Sequence, residues 1–554
     1  MVNDIFTFLV GGKAGEGVKK AGSVAAKIFS TMGRHVFQMD DYMSLIRGGH
    51  NFSVISTSTS WISSHYMKAN VVVNFDKRSY DLHLNDFATE NGIIIYNSDE
   101  QENVEGIGIP FSSLGKKYPI KSLIYGVGAV AILSSAIGFK KEEMNEIIKS
   151  EYPSGIKDNI SFADQIYDLV DPKLRGKFTL EKGDFKRPIL TGNEALSLGA
   201  IAGGLDIYYG YPMTPASTIL HFLASQADNF GLAVMHAESE LAVINLAIGS
   251  AFTGAKAMVG TSGGGFALMA EGLSLAGMIE APVLVILSQR PGPATGLPTY
   301  SEQAELLFAL TAGHGDFVRI VASPGTIEEA YYLSAEMLDL AWKFQTPAIL
   351  LTEKHLSECS MTVEIKPEKA QWVRPKMHDK GSYKRYLNTE DGVSPMLFPP
   401  SDEVIKWNSH EHDFDGITTE NPDIATQMHN KRYMKYNSLI NYLKQKKTVN
   451  IIRGEHPNNI ITYGSTYMSV LEALRHSNLN LTVIQPIYLN PLPVWELEEF
   501  KHQDNIVVEQ SVSGQFTSLL KEKAGLNIKT TIKQYDGRPF DPITLAQKIK
   551  EVLS

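Results

Sequence analysis

Short apolar runs alternate along this chain with longer segments whose apolar residues recur at helical spacing. After a first run at 5–10, one such segment places six apolar residues on a single helix face: Ala21, Val24, Ala25, Ile28, Phe29 and Met32. Further apolar runs predict strands at 71–73, 93–95, 255–259, 283–288, 348–352, 460–463, 481–485 and 506–509. Strand and helix patterns that alternate in this way predict α/β domains with parallel sheets.

Changes in composition divide the chain into segments. A first α/β domain is predicted at 1–175, and the polar stretch 177–187 is typical of a linker to a second α/β domain at 188–365. Residues 366–450 have few apolar runs and many Pro, His, Asn and charged residues, which favours an irregular connecting arm or lid. A last α/β domain is expected at 451–554.

Length and charge exclude several classes of protein. The 554 residues are 43% hydrophobic and 20% charged, which suffices for several folded cores. The net charge of -10 argues against a nucleic-acid surface, which needs clustered Lys and Arg. The chain opens without the basic segment of a secretory signal, and its most apolar stretch, 123–139, is short for a membrane span. We therefore expect a cytoplasmic protein that binds neither nucleic acid nor membrane.

Cysteine usage limits the redox chemistry that this chain can perform alone. Its one cysteine, Cys359, can form no internal disulfide and offers no thiolate set for zinc or an iron–sulfur cluster. Any redox centre is therefore expected on another polypeptide.

Four loops between residues 211 and 299 carry the candidate chemistry. Their sequences are YPMTPAS, HAESE, TSGGG and RPGPATGLPT, and each follows an apolar run and precedes a segment with a helical pattern. The carboxyl ends of neighbouring strands line the ligand crevice of an open α/β sheet. We therefore expect these loops to form one site.

Side chains in two of these loops suit a carboxylate ligand. Thr214 lies between two prolines that stiffen its backbone. Arg290 follows a strand, where its guanidinium can hold a carboxylate through two hydrogen bonds, although a surface ion pair is the alternative. The same loops add the hydroxyl groups of Tyr211, Thr295 and Thr299.

The two other loops offer a carboxylate and converging amides. Glu238 and Glu240 precede an apolar helix at 241–252, so either can serve chemistry or only face the positive end of that helix. The glycines that follow Thr261 and Ser262 allow several amides to converge on a ligand, although a plain turn has the same pattern.

A further glycine-rich loop follows the first strand. Gly12, Gly15 and Gly17, with Lys13 between them, can cradle a phosphate on exposed amides. Lys20 stands where the dinucleotide fingerprint has its third glycine, so the spacing does not match that motif. A tight turn without a ligand remains the alternative.

Together, YPMTPAS, the ESE before an apolar helix, TSGGG and RPGPATGLPT resemble the α subunit of 2-oxoacid:ferredoxin oxidoreductases. GGKAGEG and IRGGH near the N-terminus resemble the γ subunit of those enzymes, here fused ahead of α. EHDFDG, VVEQSVSGQF and YDGRP are also similar to the family. The resemblance implies a multidomain α/β fold: a γ-type domain, a thiamine diphosphate-binding fold of the pyrimidine type, and a transketolase C-terminal-like domain.

The resemblance also implies an activity and a set of site residues. The reaction is the coenzyme A-dependent oxidative decarboxylation of a 2-oxoacid, such as pyruvate or 2-oxoglutarate, with electrons passed to ferredoxin. Glu240 is implied to activate thiamine diphosphate, with Thr214 and Arg290 holding the substrate carboxylate. The other implied contacts are Thr261, Ser262 and Gly263 to the cofactor, Tyr211, Thr295 and Thr299 to the substrate, and Gly12, Gly15 and Gly17 to coenzyme A.

Motifs that are missing imply a partner. The Gly-Asp-Gly signature that places magnesium and the diphosphate in thiamine enzymes is absent from the sequence. Magnesium and the iron–sulfur cluster are therefore expected on a β subunit, within a hetero-oligomer. Ala216, Thr218 and Tyr300 depart from residues common in the family, so its side-chain specificity is not carried over.

Three alternatives stay open at this point. A ferredoxin-independent thiamine diphosphate dehydrogenase or transketolase-like subunit would share the cofactor fold. A non-catalytic nucleotide-binding assembly protein would use the glycine loops only for structure. An indolepyruvate enzyme belongs to the same family, but that type carries its own cysteine clusters and a Gly-Asp-Gly half.

Overall fold

A computed structural model describes residues 4–45, 48–102, 104–119, 121–370 and 372–554. Ile46 and Arg47 of the IRGGH segment therefore lie outside the described residues. Within those ranges the chain folds around three β-sheets of eight, seven and five strands, with helices packed on them.

The first sheet is mixed rather than parallel. Its N-terminal strands are β1 (Phe6–Ala14), β2 (His35–Asp41), β3 (Gly48–Ser58), β4 (Ala69–Asn74), β5 (Ala88–Asn97) and β6 (Ile107–Ile109). The helices of this part are α1 (Val18–Thr31), α2 (Lys77–Asp86), α3 (Phe111–Gly115), α4 (Tyr125–Ala136), α5 (Lys141–Glu151) and α6 (Ile156–Leu174). The strand β3 pairs antiparallel with β1 and β2, whereas β4 runs parallel to β1. The helix α4 is buried along its whole length, as the apolar stretch predicts.

The second sheet carries the four candidate loops. Its strands are β8 (Ile207–Gly210), β9 (Ala233–His236), β10 (Ala257–Thr261), β11 (Val283–Gln289), β12 (Ile320–Ala322) and β13 (Pro347–Glu353), which follow β7 (Ile189–Thr191) and precede β14 (Ser360–Thr362) in the chain. Its helices are α7 (Gly192–Ala202), α8 (Ser217–Phe230), α9 (Glu240–Thr253), α10 (Gly263–Ile279), α11 (Leu306–Thr311), α12 (Ile327–Phe344) and α13 (Lys354–Glu358). The order β12-β13-β11-β10-β8-β9 is parallel throughout.

The third sheet closes the C-terminal part. Its strands are β15 (Val449–Ile452), β16 (Asn458–Ile461), β17 (Thr482–Pro486), β19 (Asp504–Glu509) and β20 (Ile528–Lys533), with β18 (Tyr488–Asn490) between β17 and β19 in the chain. The helices are α14 (Pro422–Leu443), α15 (Thr466–Ser477), α16 (Val494–Leu497), α17 (Gln515–Leu519) and α18 (Pro542–Leu553), and a π-helical turn at Leu520–Ala524 continues α17.

Strand exchange joins the three sheets. The strands β7 and β14, which belong to the second segment of the chain, extend the first sheet next to β2. The strand β18 crosses from the C-terminal part and pairs with β12 of the second sheet. These strands hold the N-terminal, middle and C-terminal parts of the chain against one another, because each pairs with a sheet from another part.

The predicted irregular arm at 366–450 is wrong for its second half. The 22-residue helix α14 occupies Pro422–Leu443. Its pattern was concealed because the cationic residues Lys431, Arg432 and Lys435 lie on its buried face between Met428 and Leu439 and interrupt the apolar stripe.

A buried ion cluster compensates those charges. Glu280, which follows α10, is 1% exposed and accepts hydrogen bonds from Lys431 Nζ at 2.7 and 2.8 Å. Lys435 Nζ lies 2.5 Å from the same carboxylate, and Arg385 donates to the Glu280 carbonyl oxygen at 2.8 Å. Burial by itself raises the pKa of Glu280, but the two ammonium groups hold that pKa well below its usual range. The cluster therefore attaches the arm to the second sheet.

We expect Glu280→Gln to loosen α14. Two buried ammonium groups would lose their counter-charge, which costs about 3–5 kcal/mol. Native-state hydrogen exchange of the α14 amides measures this as a lower free energy of local opening. Asp415→Asn is the control, because it breaks an exposed 3.3 Å pair with Lys384 and should cost less than about 1 kcal/mol. Equal protection of α14 in both variants would contradict the role of the cluster.

Candidate active site

The four predicted loops lie side by side in space. The strands β11, β10, β8 and β9 are adjacent in that order, and each of the four loops leaves the carboxyl end of one of them. Parallel strands bring these ends to one edge of the sheet, which is where open α/β sheets bind ligands.

Glu240 is the buried carboxyl of this edge. It is the first residue of α9 and is 2% exposed, whereas Glu238 is exposed. Ser239 caps the helix, because its side chain accepts a hydrogen bond from the Ala242 amide. Oε1 of Glu240 has no hydrogen-bond partner among the described residues. Ser239 therefore caps the helix, so neither glutamate is needed as the cap. Glu240 keeps a buried Oε1 that can accept a hydrogen bond from a ligand.

Gly265 brings the start of α10 against that carboxyl. A Cβ atom on Gly265 would overlap both the Glu240 carboxyl and the Thr261 hydroxyl. Ser262 precedes the helix, and its buried Oγ lacks a partner within the described ranges. Buried polar atoms without partners, next to backbone that only glycine permits, fit the polar edge of a heteroaromatic ring such as the aminopyrimidine of thiamine diphosphate.

Arg290 and Thr214 are in contact, but through the backbone of the threonine. Arg290 Nη1 donates to the Thr214 carbonyl oxygen at 2.8 Å. Burial lowers the pKa of Arg290, and the nearby carboxyl of Glu305 opposes that shift. The guanidinium is thus half-buried at the crevice and tied to the neighbouring loop.

The three predicted hydroxyl groups differ in their surroundings. Thr299 is 4% exposed, and its Oγ1 has no partner in the part of the chain that the structure describes. Tyr211 and Thr295 are exposed. Of the three, Thr299 is therefore the buried one, and the Tyr211 ring lies near the His236 ring, with 6.1 Å between the two ring centroids.

Glu305 is a carboxyl that the sequence analysis missed. It immediately precedes α11, and its pKa is raised to about 8 by burial, against the opposing charge of Arg290. The available signal was a carboxylate ahead of a short apolar helix, which is indistinguishable in sequence from an ordinary cap.

The N-terminal glycine loop is shorter than predicted. The strand β1 continues to Ala14, so Gly12 pairs with Asn51 of β3 instead of lying in a loop. Glu16 accepts a hydrogen bond from the Lys13 amide at 2.7 Å, and Lys13 Nζ lies 3.7 Å from Asp76.

The rest of this loop borders a cavity. Gly15 and Gly17 have positive φ angles of 100° and 77°, which glycine adopts readily. A cavity of about 440 Å³ lies against them, and its lining includes Gly15, Gly17, Lys19, Lys20, Asp41, Met43 and Phe52.

Two family models match parts of this chain. The family model described as pyruvate ferredoxin/flavodoxin oxidoreductase matches residues 7–169, and the one described as pyruvate flavodoxin/ferredoxin oxidoreductase, thiamine diphosphate-binding, matches residues 198–440. The 2-oxoacid:ferredoxin oxidoreductase subunit alpha of Sulfolobus sp is 29% identical over 99% of this chain and 96% of its own length. Subunit alpha of the 2-oxoacid:ferredoxin oxidoreductase 1 of Sulfurisphaera tokodaii is also 29% identical, over 99% of this chain and 97% of its own.

A solved structure agrees over the entire chain. It is the 2-oxoglutarate:ferredoxin oxidoreductase from Magnetococcus marinus with 2-oxoglutarate, coenzyme A and succinyl-CoA bound. The TM-score is 0.90 at 28% identity, with all of both chains covered. The chain belongs to the 2-oxoacid:ferredoxin oxidoreductase family.

Membership of this family confirms the predicted multidomain α/β fold and the predicted class of enzyme, a ferredoxin-dependent 2-oxoacid oxidoreductase. It favours that activity over a ferredoxin-independent dehydrogenase and over a non-catalytic assembly protein. The four loops lie within the match to the thiamine diphosphate-binding model. In the described ranges, helices long and apolar enough to traverse a membrane are absent.

We expect Gly265→Ala to disturb this site. The added methyl group would displace the buried Glu240 and Thr261 side chains, which costs about 1–3 kcal/mol. The measurement is the urea midpoint of unfolding. Gly249→Ala is the control, because Gly249 lies in α9 with open space around its Cβ position and should keep or raise the midpoint. A midpoint for Gly265→Ala at or above that of the unsubstituted protein would show that the glycine is not needed there.

Proposed function

We propose that this chain is the α subunit of an enzyme that oxidatively decarboxylates a 2-oxoacid, such as pyruvate or 2-oxoglutarate. Coenzyme A takes the acyl group to give acyl-CoA, carbon dioxide leaves, and the two electrons pass to ferredoxin. The observation that carries the proposal is the buried Glu240 carboxyl with an unpartnered oxygen at the carboxyl edge of the second sheet. The ligands named for the Magnetococcus marinus relative, 2-oxoglutarate and coenzyme A, support the choice of substrates.

Glu240 would hold the aminopyrimidine ring of thiamine diphosphate. Its free Oε1 suits a ring nitrogen, and the shared proton can move between the carboxyl and the ring. Thr261, Ser262 and Gly263 would line the same ring, because they form the start of α10 beside that carboxyl. Thiamine diphosphate, when bound, supplies the nucleophilic carbon and the electron sink for loss of carbon dioxide.

Arg290 would hold the carboxylate of the 2-oxoacid. Its guanidinium is half-buried on the loop after β11 and is tied to Thr214, so it is positioned before substrate arrives. The unpartnered Thr299 hydroxyl would add a hydrogen bond from the same loop, with Thr214, Tyr211 and Thr295 at the rim. Fixed donors of this kind bind a carboxylate without reorganisation.

Coenzyme A would enter from the N-terminal domain. The cavity beside Gly15 and Gly17 shares Asp41, Met43 and Phe52 with a second cavity of about 680 Å³. The second cavity reaches Tyr300, at the end of the substrate loop, where the Arg538 guanidinium lies 3.9 Å from the centre of the Tyr300 ring. The two cavities together would give coenzyme A a path from the glycine loop to the end of the substrate loop. Gly12 lies in β1, so it would not contact coenzyme A and would only help to shape the end of the strand beside the cavity.

A β subunit would complete the site. The one cysteine of the chain cannot hold an iron–sulfur cluster. Among the described residues, no group of three His, Cys, Asp or Glu side chains is arranged to hold a metal ion. The relatives are themselves named alpha subunits. Magnesium, the diphosphate site, the cluster and the ferredoxin contact would therefore lie on the partner within a hetero-oligomer.

Glu240→Gln tests the proposal. The amide keeps the shape of the side chain but cannot relay the proton, so we expect turnover to fall about 100- to 10,000-fold. Exchange of the reactive-carbon proton of bound thiamine diphosphate for deuterium, followed by NMR, measures the step directly. Glu238→Gln is the control, since Glu238 is exposed, and should exchange as the unsubstituted enzyme does. Normal exchange in Glu240→Gln would assign the role to another group.

A further inference from the structure

The Glu305 carboxyl, whose Oε2 is buried, takes no part in the proposed binding of cofactor, substrate or coenzyme A. Glu305 stands at the end of the substrate loop, and its backbone amide donates to Gln289 Oε1 at 3.0 Å. Although it occupies the capping position of α11, its side chain makes no hydrogen bond to that helix. A simple cap therefore does not explain where this carboxyl points.

The carboxyl of Glu305 points instead at the start of α10. Its Oε1 lies so close to the helix start that a Cβ atom on Gly263 would overlap it. Its Oε2 is buried, and no donor reaches it from the described residues. Glu240 lies against Gly265 in the same turn, so two buried carboxyls flank one three-glycine helix start.

Glu305 also lies close enough to Arg290 for each charge to shift the pKa of the other. Burial raises the pKa of Glu305 to about 8, and the Arg290 charge only partly offsets this. Near neutral pH the Glu305 carboxyl is therefore mostly protonated and uncharged. Arg290 then keeps its positive charge without a fixed anionic partner at this position.

Two other titratable groups face Glu305. Glu302 lies on the same loop, and burial raises its pKa. Tyr463 comes from the third sheet, and burial raises its pKa far enough that it stays neutral at any pH of interest. Arg290 is therefore the cation through which a change in the Glu305 charge reaches the substrate.

We propose that Glu305 is a positioning residue that sets how strongly Arg290 holds the 2-oxoacid carboxylate. Uncharged Glu305 leaves the guanidinium to the substrate, and ionised Glu305 competes for it. Two carboxylates beside one half-buried cation repel each other, so substrate binding above the pKa of Glu305 takes up a proton. This inference rests on the proposed function, in which Arg290 binds the substrate carboxylate.

The test measures binding without turnover. The protein, isolated with its partner subunit and freed of thiamine diphosphate, is titrated with 2-oxoglutarate and with pyruvate between pH 6.5 and 9. If only the form with uncharged Glu305 binds, the Kd is about tenfold weaker at pH 9 than below pH 7. Glu305→Gln should bind with a Kd that no longer changes with pH. Glu302→Gln is the control and should keep the pH dependence.

A second measurement needs no variant and so does not depend on folding. Calorimetry in buffers of different ionisation enthalpy gives the number of protons taken up with each 2-oxoacid. We expect close to one at pH 9 and close to none at pH 6.5. No uptake at pH 9, or an unchanged pH dependence in Glu305→Gln, overturns the inference.

Arg290→Ala separates this inference from the proposed function. If it binds both 2-oxoacids as the unsubstituted protein does, the role of Arg290 is wrong, and the role of Glu305 is wrong with it. If Arg290→Ala weakens binding while Glu305→Gln keeps the pH dependence, Arg290 holds the carboxylate and only the role of Glu305 is wrong.

Discussion

The approach of two carboxyl groups to the start of α10 is the contact on which the site depends. Gly263 admits the Glu305 carboxyl and Gly265 admits the Glu240 carboxyl, and a side chain at either position would occupy that space. Both acids are buried because they lie where the backbone of the helix start is bare. The amides there favour negative charge, whereas burial opposes it. For Glu305 burial prevails.

The rest of the fold holds that helix start in place. The strand β10 delivers the three-glycine turn between β8 and β11, whose loops carry Thr214 and Arg290. The far end of α10 is attached to the arm through Glu280 and its two buried lysines. The helix that presents the glycines is therefore fixed at both ends. Such a frame keeps the donors and acceptors of the site positioned before a ligand binds.

Sequence patterns predicted the parts of the fold in which burial and apolar composition agree. The strands β10, β11 and β13 read as apolar runs, and two of the four loops leave the ends of β10 and β11. The strands β2 and β3 escaped prediction because their buried positions include Gln38, Asp40 and Ser53, which hydrogen-bond to one another. The helix α14 escaped because three cations interrupt the apolar residues of its buried face. In these strands and in this helix, buried polar side chains pair with polar groups elsewhere in the chain. A pattern of apolar residues does not detect such pairs.

The same limit applies to the site. Glu240 and Arg290 could be proposed from loop position and family resemblance, but Glu305 could not, since its carboxyl lies against Gly263, which belongs to a different loop. Likewise, Gly12 looks like part of a phosphate loop until its pairing with Asn51 is known. Local sequence gives the residue type, and the fold decides what that residue contacts.

We propose that this chain supplies one half of an active site and that a partner supplies the other. Iron content and thiamine diphosphate-dependent decarboxylation of pyruvate and 2-oxoglutarate, with ferredoxin as acceptor, test this directly for the chain alone and with the subunit that co-purifies with it. We expect neither iron nor turnover for the chain alone, and both iron and turnover for the pair. Stoichiometric iron or full activity in the isolated chain would contradict the proposal.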